Sequence, residues 1–202
     1  IPQTCGQCHR GIADEFDYSV HGVAVARGLM DAPVCTNCHT EHAIESTSVA
    51  TAPTSAQKVA VDTCVRCHAS TRIVEKYGMR RQRLSTFTDS YHGLALRSGR
   101  LEVANCGSCH GVHNILHSRD ARSMINPQNL AVTCGKCHPN AGENFTSGPV
   151  HLTGEESKGR TGAIIRVIYI SLIVVLIGGM ILHNGLDFIR KSKQVLQKKN
   201  LE

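Results

Sequence analysis

All ten cysteines of this 202-residue chain stand in five copies of one motif, Cys-x-x-Cys-His. The copies are Cys5-Gly-Gln-Cys8-His9, Cys35-Thr-Asn-Cys38-His39, Cys64-Val-Arg-Cys67-His68, Cys106-Gly-Ser-Cys109-His110 and Cys134-Gly-Lys-Cys137-His138. Two thiols three positions apart can add to the two vinyl groups of one haem, and the adjacent histidine then reaches the iron from the proximal side. A bare Cys-x-x-Cys also serves zinc sites and redox dithiols. Histidine is 12 of 202 residues, so its appearance after all five motifs by chance has a probability on the order of 10⁻⁶. A zinc ribbon does not need that histidine, and a disulfide framework has no reason to pair cysteines so locally. The motifs therefore imply five covalently bound c-type haems. Attachment of this kind takes place outside the cytoplasmic membrane, so the motif-bearing part is expected to be periplasmic or equivalent. No charged and apolar leader precedes Ile1, and any signal peptide is expected to have been removed or to lie outside this stretch.

Five proximal histidines leave seven others: His21, His42, His92, His113, His117, His151 and His183. An internal repeat sorts them. Phe16, Ser19, His21-Gly22, Ala24, Gly28, the Cys35 motif, His42 and Ile44 recur as Phe87, Ser90, His92-Gly93, Ala95, Gly99, the Cys106 motif, His113 and Ile115, each offset by 71 without a gap. Threonine precedes the first cysteine of the other three motifs (Thr4, Thr63, Thr133), and Phe145 and His151 follow Cys134 much as Phe16 and His21 follow Cys5. The unit is a two-haem module, present as 4–44, 63–115 and a half-module 133–151.

The repeat singles out His21, His42, His92, His113 and His151 as distal ligands for five irons, which predicts bis-histidine haems of low potential, since methionine is the ligand that raises it. His42 and His113 lie three residues beyond a proximal histidine, too close to reach the far face of the same haem, so each is expected to ligate a neighbouring one. The glycines after His21 and His92 are expected to let a porphyrin edge approach the backbone. His117 is the reserve for His113 or His151, and Met30, Met79 and Met124 are the methionine alternatives, although methionine more often fills gaps.

Aromatic residues are 4 % of the chain and tryptophan is absent, too little for an ordinary core of this length. The expected fold is mostly α and irregular, a haem-packed domain with little sheet. The formal charge of +6 resembles a nucleic-acid signal, but ten propionates and five oxidised iron centres bring the holoprotein to about +1, or about −4 when reduced; no nucleic-acid partner is expected. An insertion after His68 carries Arg72, Lys76, Arg80, Arg81 and Arg83, read either as a solvated, propionate-pairing loop or as a docking patch for an acidic redox partner. The Ser/Thr/Ala/Pro-rich stretch 45–62 reads as a linking loop.

No charge falls between Val167 and Leu182, and the apolar stretch continues to Ile189. That length spans a bilayer core as a helix. Haem attachment outside and the cluster Arg190, Lys191, Lys193, Lys198 and Lys199 both orient the C-terminus to the cytoplasm. Ser171, Gly178 and Gly185 form a small-residue stripe that admits a second helix. His183, one turn from the cytoplasmic end, is a candidate b-type haem ligand in a partner bundle, a quinone hydrogen bond, or an interfacial anchor. The divisions are 1–157 for the pentahaem domain, 158–189 for linker and transmembrane helix, and 190–202 for the basic tail.

Over positions 4–151 the chain resembles multihaem cytochromes c of the doubled-CxxCH, cytochrome c3-like class. The run Gly178-Gly179-Met180 … His183-Asn184 … Asp187 … Arg190 resembles the junction where such cytochromes meet a membrane b-type cytochrome. The resemblance implies an electron-transfer subunit of a quinone-linked oxidoreductase in the inner membrane. It would pass single electrons between an integral membrane subunit (a b-type cytochrome or other quinone-reactive protein) and a periplasmic redox protein. The rival is a multihaem reductase of a small nitrogen or sulfur oxyanion, which needs one open iron position.

Overall fold

The computed structural model describes residues 1–80, 82–100, 102–148, 150–151 and 160–199. Among them the regular structure is helical throughout, without a strand. The chain forms two compact units, Ile1–His151 and Leu152–Glu202; the expected boundary at 157/158 lies outside the described residues.

In the first unit, helices α1 (Pro2–Gly6), α2 (Arg10–Tyr18), α3 (Val20–Ala26) and α4 (Cys35–His39) make the first module. After α5 (Ala56–Lys58) and a π-helical turn at Val59–Thr63, the second module follows as α6 (Val65–His68), α7 (Thr71–Lys76), α8 (Arg83–Thr88), α9 (Tyr91–Arg97) and α10 (Cys106–His110). A short 3-10 turn at Pro127–Asn129, α11 (Leu130–Gly135) and α12 (Glu143–Thr146) complete the half-module. These helices are too short to stand alone. Nor does the polypeptide give them a core of ordinary size: Ala52, Val74 and Leu96 are its buried apolar residues among those described.

Capping repeats with the sequence. Ser19 Oγ accepts from Gly22 N at 3.0 Å and donates to Phe16 O at 2.6 Å, and Ser90 Oγ makes the same pair with Gly93 N and Phe87 O at 3.2 and 2.6 Å. Each serine thus starts the helix that carries His21 or His92. Positive φ recurs as well, at Gly28 and Gly99 and again at Thr40 and Gly111, the residue directly after each module's second proximal histidine.

The 45–62 stretch is more ordered than a plain loop. Val49 N bonds Ser46 O, Ala52 N bonds Val49 O, and Ser55 N bonds Ala52 O. The same ladder returns as Asp120 to His117, Ser123 to Asp120 and Asn126 to Ser123. Each ladder ends on the threonine before a motif: Thr63 Oγ1 donates to Pro53 O at 2.5 Å and Thr133 Oγ1 to Met124 O at 2.7 Å.

The modules are clamped at Asp31. This carboxylate, 12 % exposed, takes Arg72 Nη1 at 2.8 Å and Lys76 Nζ at 2.6 Å from α7, and the Tyr77 hydroxyl at 3.0 Å. Two of the five basic residues in the insertion therefore hold the second module to the first. Arg80 and Arg83 are exposed, and Arg81 lies outside the described residues.

The second unit contains α13 (Arg160–Lys199), a single helix of 40 residues. Its Gly162–Gln194 stretch has a mean hydropathy of 2.6 in its most apolar window, none of which is buried in the protein, and it is long and apolar enough to cross a membrane. The helix runs on through the basic segment. Asp187, the acid at the end of the apolar stretch, pairs with Lys191 at 2.7 Å and Arg190 at 4.0 Å one turn on, which lowers the cost of carrying a carboxylate near lipid.

Lys76, Arg72 and Tyr77, in that order of effect, hold Asp31 at about 2, below its ordinary 3.8. A depressed carboxylate contributes stability above its unfolded value and loses it as pH falls through the folded one. Asp31→Asn should therefore lower the thermal midpoint most above pH 4, with the gap to wild type closing as pH falls towards 2; a gap that widens on acidification would refute the clamp.

Candidate metal centres

Each motif is a short helical turn with its histidine at or just past the end. In α10 the turn is fixed by Asn105, which accepts from Ser108 N at 3.0 Å while Ser108 Oγ accepts from Asn105 N at 3.1 Å; in α4 Asn37 Oδ1 accepts from Val34 N at 2.8 Å. The chain brings cysteines of different motifs near one another. Cys35 is raised by burial and then by neighbouring Cys5, and Cys38 by burial and then by Cys67. A thiol hydrogen bond to Cys106 raises Cys64, and Cys109 is raised by burial and then by Cys134. Within each full module the first cysteines of the two motifs act on each other (Cys5 and Cys35, Cys64 and Cys106), and Cys38 and Cys109 each feel a cysteine of the next module, Cys67 and Cys134.

All twelve histidines are among the described residues. Four proximal histidines face an imidazole from elsewhere in the chain. His21 stands 6.2 Å from His68 between ring centroids, His113 6.1 Å from His39, His92 6.0 Å from His138, and His151 6.3 Å from His110. A metal–imidazole bond of about 2.0–2.1 Å on each side, plus the distance from ring nitrogen to ring centre, puts two imidazoles on one metal about 6.3 Å apart between centroids. The four gaps fit one iron each. Among the described residues no group of three or more histidine, cysteine or acidic side chains is placed to hold a metal ion; the facing imidazoles come in twos.

The pairs also obey the repeat. His21 with His68 and His92 with His138 join the His-Gly helix of one module to the first motif of the next, and their ring planes meet at 47° and 46°. His113 returns from the second module to the first module's His39, at 11°. His151 closes on His110 at 47°. The chain bond Val20 N to Ile115 O, 2.8 Å, ties α3 to the segment beyond His113 and so sets both pairs at once.

Metal binding needs neutral imidazole, and the surroundings favour it. Burial, then His68, brings His21 down to about 4. Burial also lowers His39, His68, His92, His110 and His151. Thr86, which sequence reasoning missed, orients His151. Its Oγ1 is 2.7 Å from Gln82 O and 3.0 Å from Arg83 O as donor, and 3.1 Å from His151 Nδ1. With its proton engaged by those carbonyls, the hydroxyl is free to accept from Nδ1–H, the tautomer that keeps a lone pair on Nε2.

The remaining candidates stand apart. His42 has 96 % of its side chain exposed, with Glu41 3.9 Å away, and faces no proximal histidine. His9 is exposed and has no imidazole opposite it among the described residues. His117 Nδ1 accepts from Arg119 N at 3.1 Å, a local turn contact. No family model, curated protein or solved structure matches the chain.

Gly22 and Gly93 have a nearer reason to be glycine than room for a porphyrin. A Cβ at Gly22 would overlap Phe16 O and lie 2.7 Å from Asp17 Cα; at Gly93 it would overlap Phe87 O and lie 2.7 Å from Thr88 Cα. The obstacles are backbone and cannot swing aside. Gly22→Ala and Gly93→Ala should each cost about 1–3 kcal/mol and displace the adjacent histidine, whereas Gly11→Ala, with nothing within 4 Å, should be neutral or stabilising. Thermal melts compare them; equal midpoints for the three variants would contradict this account.

Proposed function

We propose that the chain is a membrane-anchored pentahaem c-type cytochrome. In this reading it relays single electrons between a quinone-reactive membrane partner, a b-type cytochrome in the nearest version, and a periplasmic redox protein. The observation that carries the reading is the set of four facing imidazole pairs, each joining a motif histidine to a histidine the sequence repeat had singled out.

Cys5, Cys8, Cys35, Cys38, Cys64, Cys67, Cys106, Cys109, Cys134 and Cys137 would hold the five groups, and His9, His39, His68, His110 and His138 would ligate them. Bound there, haem supplies reversible one-electron chemistry at potentials that histidine ligation keeps low. The residues do the rest by position. Ligand pairs drawn from consecutive modules keep neighbouring centres close, and the few buried apolar side chains leave the short helices to pack on the cofactors. Paired imidazoles also close both axial positions, which favours relay over bond-making at four of the five centres. His9, without a facing imidazole, is the observation that favours the second reading, a reductase of a small nitrogen or sulfur oxyanion.

α13 anchors the unit, with the haem domain outside and Arg190, Lys191 and Lys193 on the cytoplasmic side. His183 and the small residues Gly178, Gly179 and Gly185 face open space within this chain and are where the membrane partner, with its b-type haem or quinone, would lie.

The pyridine haemochrome of the purified full chain should report five haems per polypeptide, and four for a Cys64→Ala/Cys67→Ala variant. His21→Ala should convert one ferric haem from low to high spin. A chain carrying no covalent haem would sink the proposal. One high-spin haem that persists in the complex extracted from the membrane would move it to the reductase reading.

A further inference from the structure

The ligand exchange follows a rule, and the rule leaves two groups over. Each module sends its His-Gly histidine forward to the next module's first motif: His21 to His68, His92 to His138. The second module sends its post-motif histidine backward to the second motif of the module before, His113 to His39. At the half-module the pattern is sealed, because His151 takes the position facing His110 that a third module's post-motif histidine would otherwise fill.

The first module shows the opposite situation. His9 is a first-motif histidine with no forward donor facing it, and His42 is a backward donor with no second-motif histidine to face. His42 matches His113 in sequence position, and the positive φ of Thr40 matches that of Gly111, so the chain turns out of the motif in the same way at both. Yet His113 is half-buried against His39, while His42 is 96 % exposed. Thr4 completes the set: Thr63 and Thr133 each hold the ladder of turns that precedes their motif, and the Thr4 hydroxyl has no such partner among the described residues.

On the haem reading above, we infer that the face carrying His9 and His42 docks a further haem-bearing c-type module of the same design. That module supplies one histidine to the His9 iron and receives His42 on an iron of its own. The exchange is reciprocal, one imidazole in each direction, as between the two modules within this chain. A protein with only one half of this equipment would not satisfy both groups.

The test uses the haem-loaded full chain in mild detergent, alone and in the complex in which it is extracted from its native membrane, with carbon monoxide and imidazole as probes. Alone and monomeric, the chain should show one high-spin haem among five. That haem should bind carbon monoxide when reduced and turn low-spin on titration with imidazole. In the complex this signal should be absent. His42→Ala should leave the solitary chain's spectrum unchanged and create one new carbon monoxide-binding haem in the complex. Mass mapping of haem peptides then tells whether the partner's module belongs to the same polypeptide or to another subunit.

Five low-spin haems in the solitary monomer would overturn the inference, and so would a new high-spin haem in monomeric His42→Ala, since His42 would then act within its own chain. So would a high-spin haem that persists in the complex, which would leave the His9 position open for substrate. Absence of covalent haem would instead defeat the functional proposal itself, and the haemochrome count separates the two failures.

Discussion

Four pairs of imidazoles face each other across about 6 Å, and each pair draws its two rings from different parts of the chain. A histidine three residues past a motif cannot turn back over its own motif, so the partner has to be brought in from a neighbouring module. Much of the first unit serves that requirement. Ser19 and Ser90 start the short helices that carry the forward histidines, and the Val20-to-Ile115 bond sets a forward and a backward pair together. Asp31 holds the second module's α7 so that neither pair can drift apart. With only Ala52, Val74 and Leu96 as buried apolar side chains among the described residues, apolar burial cannot impose this arrangement by itself; polar caps and clamps carry an unusual share of the specificity.

Ring geometry differs among the pairs. Three of them, His151 with His110 included, meet at 46–47°, and His113 with His39 meets at 11°. Forward donors sit in α3 and α9, where helical backbone fixes the direction of the side chain. His113 sits in a bend two residues after the positive-φ Gly111, and its ring lies nearly parallel to that of His39.

Much of this was legible in the sequence. The motifs, the 71-residue offset and the helical, strand-free character follow from spacing and composition, and the long apolar helix from hydropathy. Sequence could rank His21, His92, His113 and His151 as distal candidates because the repeat duplicated them, but it placed His42 on the same footing. Repetition reports what a residue is built to do, not whether a partner is present to receive it. The ladder at 46–55 lies in a stretch that reads as a loop, because its i to i−3 bonds need no hydrophobic period. Thr86 was invisible because a threonine in a short helix carries no pattern, and its role depends on a histidine 65 residues away. The basic insertion was divided between two readings; a single acid in the other module, Asp31, decides the use of Arg72 and Lys76.

On the haem reading, the forward and backward directions of pairing would also set an order of events as the chain is delivered across the membrane. When the Cys64 motif emerges, His21 has already preceded it, and the same holds for His92 and the Cys134 motif. The Cys35 motif emerges without its partner, since His113 lies 74 residues further on, and the Cys106 motif waits in the same way for His151. On the haem reading, maturation would alternate between centres that close at once and centres held half-made until later chain arrives. A truncation after the second motif would then leave the first module's own second centre unfinished, although every residue that attaches it is present.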